Sequence, residues 1–167
     1  WHGLTHGVSG VAPITAFDPQ GFDTQFAAEV KGFDPESVLD KKQVRRMDRF
    51  AQFAAAAAHE ACAQAGLDKN APDRSRIAAI VGSGIGGIIT LSKQYAVLQE
   101  KGPGRVSPFL IPMMLADMAP ARVSMIAGAM GPNFCVVSSC SSGSDAIGQG
   151  WQMIRRNEVS VVVAGGS

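Results

Sequence analysis

The chain has 167 residues, 46% of them hydrophobic and 17% charged, with a formal net charge of +1. That is material for one domain with a substantial core, and the near-zero charge gives nucleic acid or an anionic membrane surface no reason to bind it in bulk. No apolar run reaches the roughly 18 residues of a membrane span, and three cysteines at irregular spacing form neither a disulfide framework nor a metal pattern, which points to a reducing compartment, the cytoplasm. In chain order, Trp1 to Asp34 is rich in Gly, Pro and Asp and reads as loops, with one extended piece from Phe26 to Val30. Pro35 to Leu39 forms a helical turn. Asp40 caps a long helix from Lys41 to Ala65, whose Val44, Met47, Phe50, Ala54 and Ala58 keep the spacing of a buried stripe, and Gly66 stops it. Arg76 to Val81 is a strand and Gly86 to Glu100 a helix, which Lys101-Gly-Pro-Gly104 breaks. Pro108 to Pro112 is an irregular apolar segment, followed by a helix to Ala127 bent or interrupted at Pro120. Phe134 to Ser139 is a strand, Ser141 to Arg156 a helix and Val159 to Ala164 a strand. This alternation predicts a layered α/β fold on a mostly parallel sheet.

Within that order, Cys140 carries the most chemistry. The apolar run Phe134 to Val137 leads into small polar residues, Cys140 falls at the turn, and Ser141, Ser142 and Gly143 open the next helix. A thiol at a helix N-terminus faces exposed N–H groups and the positive end of the helix dipole, both of which favour an anionic sulfur. A nucleophile elbow presents serine in the same way. The pattern alone leaves Cys140 open between a catalytic thiol and a small packed side chain. Cys62, in the alanine-rich run, and Cys135, inside the apolar strand, read as packed.

Other motifs read more plainly. Gly82-Ser-Gly-Ile-Gly-Gly87 fits G-x-G-x-x-G after a strand, yet no second strand ending in an acid follows at the distance a dinucleotide site needs. Its glycines read as a tight turn packed beside a substrate tunnel. Lys42, Arg45, Arg46 and Arg49 are spaced to share a helical face. Cations at a helix start oppose the dipole, so helix stability does not explain them. They are either a solvated face or a dock for an acidic partner. His2, His6 and His59 are not paired with Cys140 by anything in the sequence, and no metal-ligand spacing is present.

At Ser138-Ser-Cys-Ser-Ser-Gly143 the chain resembles the β-ketoacyl-acyl-carrier-protein synthases, the condensing enzymes of fatty-acid and polyketide synthesis. Ser9-Gly-Val11, Phe17-Asp18, Arg45 to Phe50, Gly82 to Gly87, Val106 to Pro112, Gly131-Pro-Asn133 and Val163 to Gly166 match in order and spacing. The resemblance is nearest to the elongating type, synthase II. It implies a thiolase-like layered α-β-α fold, with residues 1–167 forming most of the N-terminal half, cut at both ends. The first strand would then lie before Trp1; two catalytic histidines, a lysine and a second oxyanion donor would lie beyond Ser167. It implies an acyltransferase in which Cys140 takes an acyl group from a carrier protein and passes it to decarboxylated malonyl-carrier protein. Ile85, Phe109 and Leu110 would line the acyl tunnel; Lys42, Arg45 and Arg46 would receive the carrier. The expected partners are acyl carrier protein and a second copy in a homodimer, with no nucleic acid and no membrane. No cofactor is implied beyond the carrier's own phosphopantetheine. A polyketide ketosynthase and an inert fragment remain as alternatives.

Overall fold

The computed structural model describes residues 1–167, which divide into two compact units, 1–34 and 35–167. In the first, α1 (His2–Thr5) precedes two short antiparallel strands, β1 (Val11–Pro13) and β2 (Phe26–Ala28), paired Val11 to Ala28. Beyond the expected extended piece around Phe26, this unit therefore has a helix and a partner strand. Its loop is tied at Glu29, whose carboxylate accepts from the Thr15 hydroxyl at 2.6 Å and from the Thr15 and Ala16 amides. Those bonds, the Thr15 hydroxyl foremost, hold the carboxyl below its ordinary pKa.

The second unit is an α/β/α stack. Its elements are α2 (Lys41–Val44), α3 (Arg49–Gln64), β3 (Ile77–Gly82), α4 (Ile88–Lys101), α5 (Leu110–Met114), α6 (Met118–Ala127), β4 (Asn133–Val136), α7 (Ser142–Arg155) and β5 (Val161–Gly166). The sheet is parallel, in the order β4-β3-β5. All six residues of β3 are buried, as an apolar run covered on both faces requires. Strand alternation sends Ala78 and Ile80 toward Ala146 and Met153 of α7. Ala79 and Val81 turn the other way, toward Ala54 and Ala58 of α3 and Ala119 and Val123 of α6. Small alanines let these helices lie close to the sheet.

β4 ends at Val136 rather than Ser139 and β5 starts at Val161 rather than Val159, and three larger differences from the sequence reading stand beside these. The long helix is broken between Val44 and Arg49. Asp40 and Gln43 make a reciprocal capping box that closes α2 on itself. Met47 and Asp48 are buried, and the Asp48 Oδ2 accepts the Thr90 N–H at 2.7 Å, tying the start of α3 to α4. The common helical face for Lys42, Arg45, Arg46 and Arg49 is therefore lost. Pro108 to Pro112 is partly helical: the Ser107 hydroxyl accepts the Phe109 N–H at 3.1 Å and α5 starts at Leu110, with Pro112 in its first turn. Pro120 does not bend α6, because it too falls in the first turn.

The buried Asp48 bond sets a first expectation. Asp48→Ala leaves the buried Thr90 N–H without its acceptor. It should cost about 1–3 kcal/mol of stability, read by chemical denaturation; an unchanged midpoint would remove Asp48 from the account of the break.

Candidate active site

All three strands of the sheet end on the same side. Gly82 lies beside Val136 and Gly166, and the space beyond the carboxyl ends of parallel strands is where α/β folds place ligands. There β4 gives way to a serine run that cannot simply extend the strand. Ser139 takes a left-handed conformation, φ 55°. A 3₁₀ turn, Ser139–Ser141, follows and leads into α7. Side chains hold this turn. The buried Ser142 hydroxyl donates to Ser139 O at 2.7 Å and accepts the Ser138 N–H at 2.9 Å. The Ser141 hydroxyl donates to Ser138 O at 2.8 Å. Short polar side chains that bond their own backbone favour such turns over helix or strand interiors.

Cys140 is exposed at this turn. It opens into a cavity of about 490 Å³ whose other walls include Phe50, Ser83, Ile85 and Ser167. A smaller recess of about 250 Å³ runs from Cys140 along Gly82, Gly143 and Gly166. The start of α7 meets the strand ends backbone to backbone: a Cβ on Gly82 would fall 2.1 Å from Ser142 O, and one on Gly166 would fall 2.7 Å from the Gly143 Cα. The glycine turn after β3 is held by Ser83, whose hydroxyl accepts the Gly86 N–H at 3.2 Å. Gly86 (φ +77°) and Gly87 abut the backbone at Met113, Met114 and Ala116, where a Cβ would clash at 2.7 and 2.4 Å. This crowding explains the glycines as packing elements.

The candidate residues part company here. Ile85, 72% exposed, lies in the wall of the Cys140 cavity. Phe109 and Leu110 line neither cavity at Cys140. Phe109 instead lies under the Arg46 guanidinium, 4.5 Å from it, a cation–π contact. Arg45 borders a separate cavity of about 460 Å³ with Asp48, Arg49 and Lys93. Lys42 is exposed on α2. His59 is exposed on α3 and lines neither cavity at Cys140. No cluster of three His, Cys, Asp or Glu side chains is placed to hold a metal ion. Phe50 and Ser83 line the Cys140 cavity without having been singled out as site residues in the sequence. Phe50 looked like one member of a helical stripe, and only the approach of α3 to the ends of β3 and β5 gives it another part.

The other two thiols differ in kind. Cys62 is buried and Cys135 half-buried. Burial pushes both thiols above the ordinary value; for Cys135 the nearby Asp117 charge adds to this and a backbone hydrogen bond at Ser83 opposes it. We expect iodoacetamide at neutral pH to modify Cys140 first, by roughly an order of magnitude or more in rate, as read by peptide mass spectrometry. Equal labelling of the three would contradict this. The raised thiols also fix a sign. The folded state keeps its protons where the unfolded thiols, near 9.0, begin to lose theirs. Stability from this source is intact below that pH and falls as pH rises above it.

Fold and site define a three-layer α/β domain that presents an exposed cysteine at a strand-to-helix turn. Residues 1–167 match the beta-ketoacyl synthase N-terminal domain, and the chain belongs to that family. It is 41% identical, over all its 167 residues, to 3-oxoacyl-[acyl-carrier-protein] synthase 2 of Synechocystis sp., and spans 40% of that relative's length. Among solved structures it resembles the ishigamide ketosynthase/chain length factor, with a TM-score of 0.83 and 28% identity over 99% of this chain and 41% of that one. A second neighbour, a type II polyketide acyl-carrier protein in complex with its ketosynthase bound to the hexaketide, shares the fold at a TM-score of 0.75 and 21% identity, over 83% of this chain and 40% of that one.

Proposed function

We propose that the whole protein is a 3-oxoacyl-[acyl-carrier-protein] synthase of the elongating type. One observation carries the reading: Cys140 is exposed in a cavity at the carboxyl ends of three parallel strands, on the turn that opens a 14-residue helix. The Cys140 sulfur attacks the thioester carbon of an acyl carrier protein. The backbone N–H of Cys140 is one donor to the oxyanion that forms. The carbon–sulfur bond to the carrier then breaks, the carrier sulfur leaves with the electron pair and takes a proton from water, and the acyl group stays on Cys140. Malonyl-carrier protein next loses carbon dioxide, and the electron pair of the broken carbon–carbon bond attacks the acyl-Cys140 carbonyl. The new carbon–carbon bond forms as the bond to Cys140 sulfur breaks, which frees the thiolate for another cycle. Covalent catalysis of this kind divides one difficult step into two easier ones.

The carrier's acidic surface would meet Lys42, Arg45 and Arg46. A carrier is also named for the second structural neighbour. We assign the working unit as a homodimer joined near β4, which is an outer strand with Phe134 exposed on it and Val137 exposed just past its end. The test supplies the full-length protein with acyl-carrier and malonyl-carrier proteins and weighs the product. A 3-oxoacyl carrier extended by one malonyl-derived unit is expected. A ladder of repeatedly extended, unreduced products would move the assignment to a polyketide ketosynthase, and no extension would overturn it.

A further inference from the structure

The geometry points to Asp145 as a positioning residue that holds the Cys140 turn in register through Ser138. The inference rests on the condensing-enzyme reading above.

Ser139 is one of only two non-glycine residues with a positive φ. That conformation is unfavourable for a residue with a side chain and persists where its surroundings impose it. Two clamps do so. One is the buried Ser142, whose hydroxyl bridges Ser138 N and Ser139 O. The other reaches back from the helix: the Ser138 hydroxyl donates to Asp145 Oδ2 in a short hydrogen bond, and the Ser141 hydroxyl lies 3.3 Å from the same oxygen. Ser138 and Ser141 flank Ser139 and Cys140. One carboxylate oxygen in the first turn of α7 thus holds Ser138, and Ser138 O in turn accepts the Ser141 hydroxyl, so the two edges of the segment that carries the sulfur are joined at Ser138.

A plainer account is that an acid in a first helical turn suits the dipole. Charge alone would be satisfied by a carboxylate facing water; here one oxygen accepts the Ser138 hydroxyl, while the Ser141 hydroxyl, which donates to Ser138 O, only lies beside it. The role left to Asp145 is to accept that hydrogen bond.

The test uses the full-length protein and three variants. Asp145→Asn keeps an acceptor oxygen and drops the charge. Asp145→Ala drops both. Ser138→Ala cuts the same bond from its other end. We expect Asp145→Ala and Ser138→Ala to slow acyl loading by roughly tenfold to a hundredfold, the effect of a nucleophile held out of line. Asp145→Asn should load like the wild type. Alkylation of Cys140 by iodoacetamide, which needs no such alignment, should stay at the wild-type rate or rise in all three. Asp145 is exposed, and thermal melting of each variant reports its fold. Should Asp145→Ala not fold, Ser138→Ala decides. Wild-type loading by the folded Asp145→Ala or by Ser138→Ala overturns the assignment, as does loading by Asp145→Asn as slow as by Asp145→Ala. Slowed alkylation also overturns it, because the sulfur itself would then have changed. A wild-type protein that takes no acyl group at all overturns the condensing-enzyme reading and this assignment with it.

Discussion

On the proposed function, Cys140→Ala in the full-length protein should abolish acyl loading. Incubated with an acyl carrier protein, the variant should show no acyl mass increment where the wild type shows one, a loss of roughly 10⁴-fold or more. Two features make the effect that large. In the proposed mechanism the sulfur is the atom that bonds the substrate, so no remnant of the step survives its removal. The other thiols cannot substitute: Cys62 is buried, Cys135 is half-buried on β4, and burial keeps both protonated beyond the ordinary range. The variant should melt with the wild type, because Cys140 is exposed and changes at exposed positions away from packed features are usually small. An acyl adduct that persists at the wild-type rate would remove Cys140 from the mechanism.

Gly82→Ala should have the largest effect on the fold itself. The added Cβ would lie 2.1 Å from Ser142 O, 2.2 Å from Ser142 C and 2.8 Å from Gly143 N. All three are backbone atoms at the start of α7, so no rotamer change relieves the clash. Either β3 or α7 must move, and β3 is the middle strand of the sheet. Overpacking costs about 1–3 kcal/mol in ordinary cores and more where backbone must shift; the upper end or beyond is expected here, seen as a lowered denaturation midpoint or failure to accumulate folded protein. Acyl loading should fall with it, because the displaced backbone leads directly out of the Cys140 turn. Gly148→Ala is the contrast. It lies on α7 with nothing within 4 Å of its added Cβ, and the gain in helix propensity should raise stability by about 0.5–1 kcal/mol. Equal behaviour of the two variants would contradict the packing account.

The central strands and the Cys140 turn were legible in the sequence because each is announced locally. Apolar runs mark β3, β4 and β5 to within a few residues, and the change from Val137 to Ser138 marks the turn. What stayed hidden depends on partners distant in sequence. The break before α3 is fixed by Asp48 and Thr90, 42 residues apart; in sequence, the apolar spacing from Val44 through Met47 to Phe50 runs across it without a mark. Phe109 read as a tunnel residue by resemblance, and its pairing with Arg46 follows from how the segment before α5 folds back. Asp145 drew no attention because an acid near a helix start is commonplace; only the hydrogen bond it accepts from the Ser138 hydroxyl distinguishes it.

Apart from Cys140, the recess beside it is lined only by glycines and serines, Gly82, Gly84, Gly143 and Gly166 among them. The larger side chains of the adjoining cavity are Phe50 and Ile85. On the proposed function, reactivity and selectivity are lodged in different parts of the molecule. Replacing Phe50 or Ile85 would then alter the shape offered to an acyl chain while leaving untouched the peptide groups around the sulfur. A frame of this kind can acquire new substrates by small steps, with the bond-making apparatus held constant throughout.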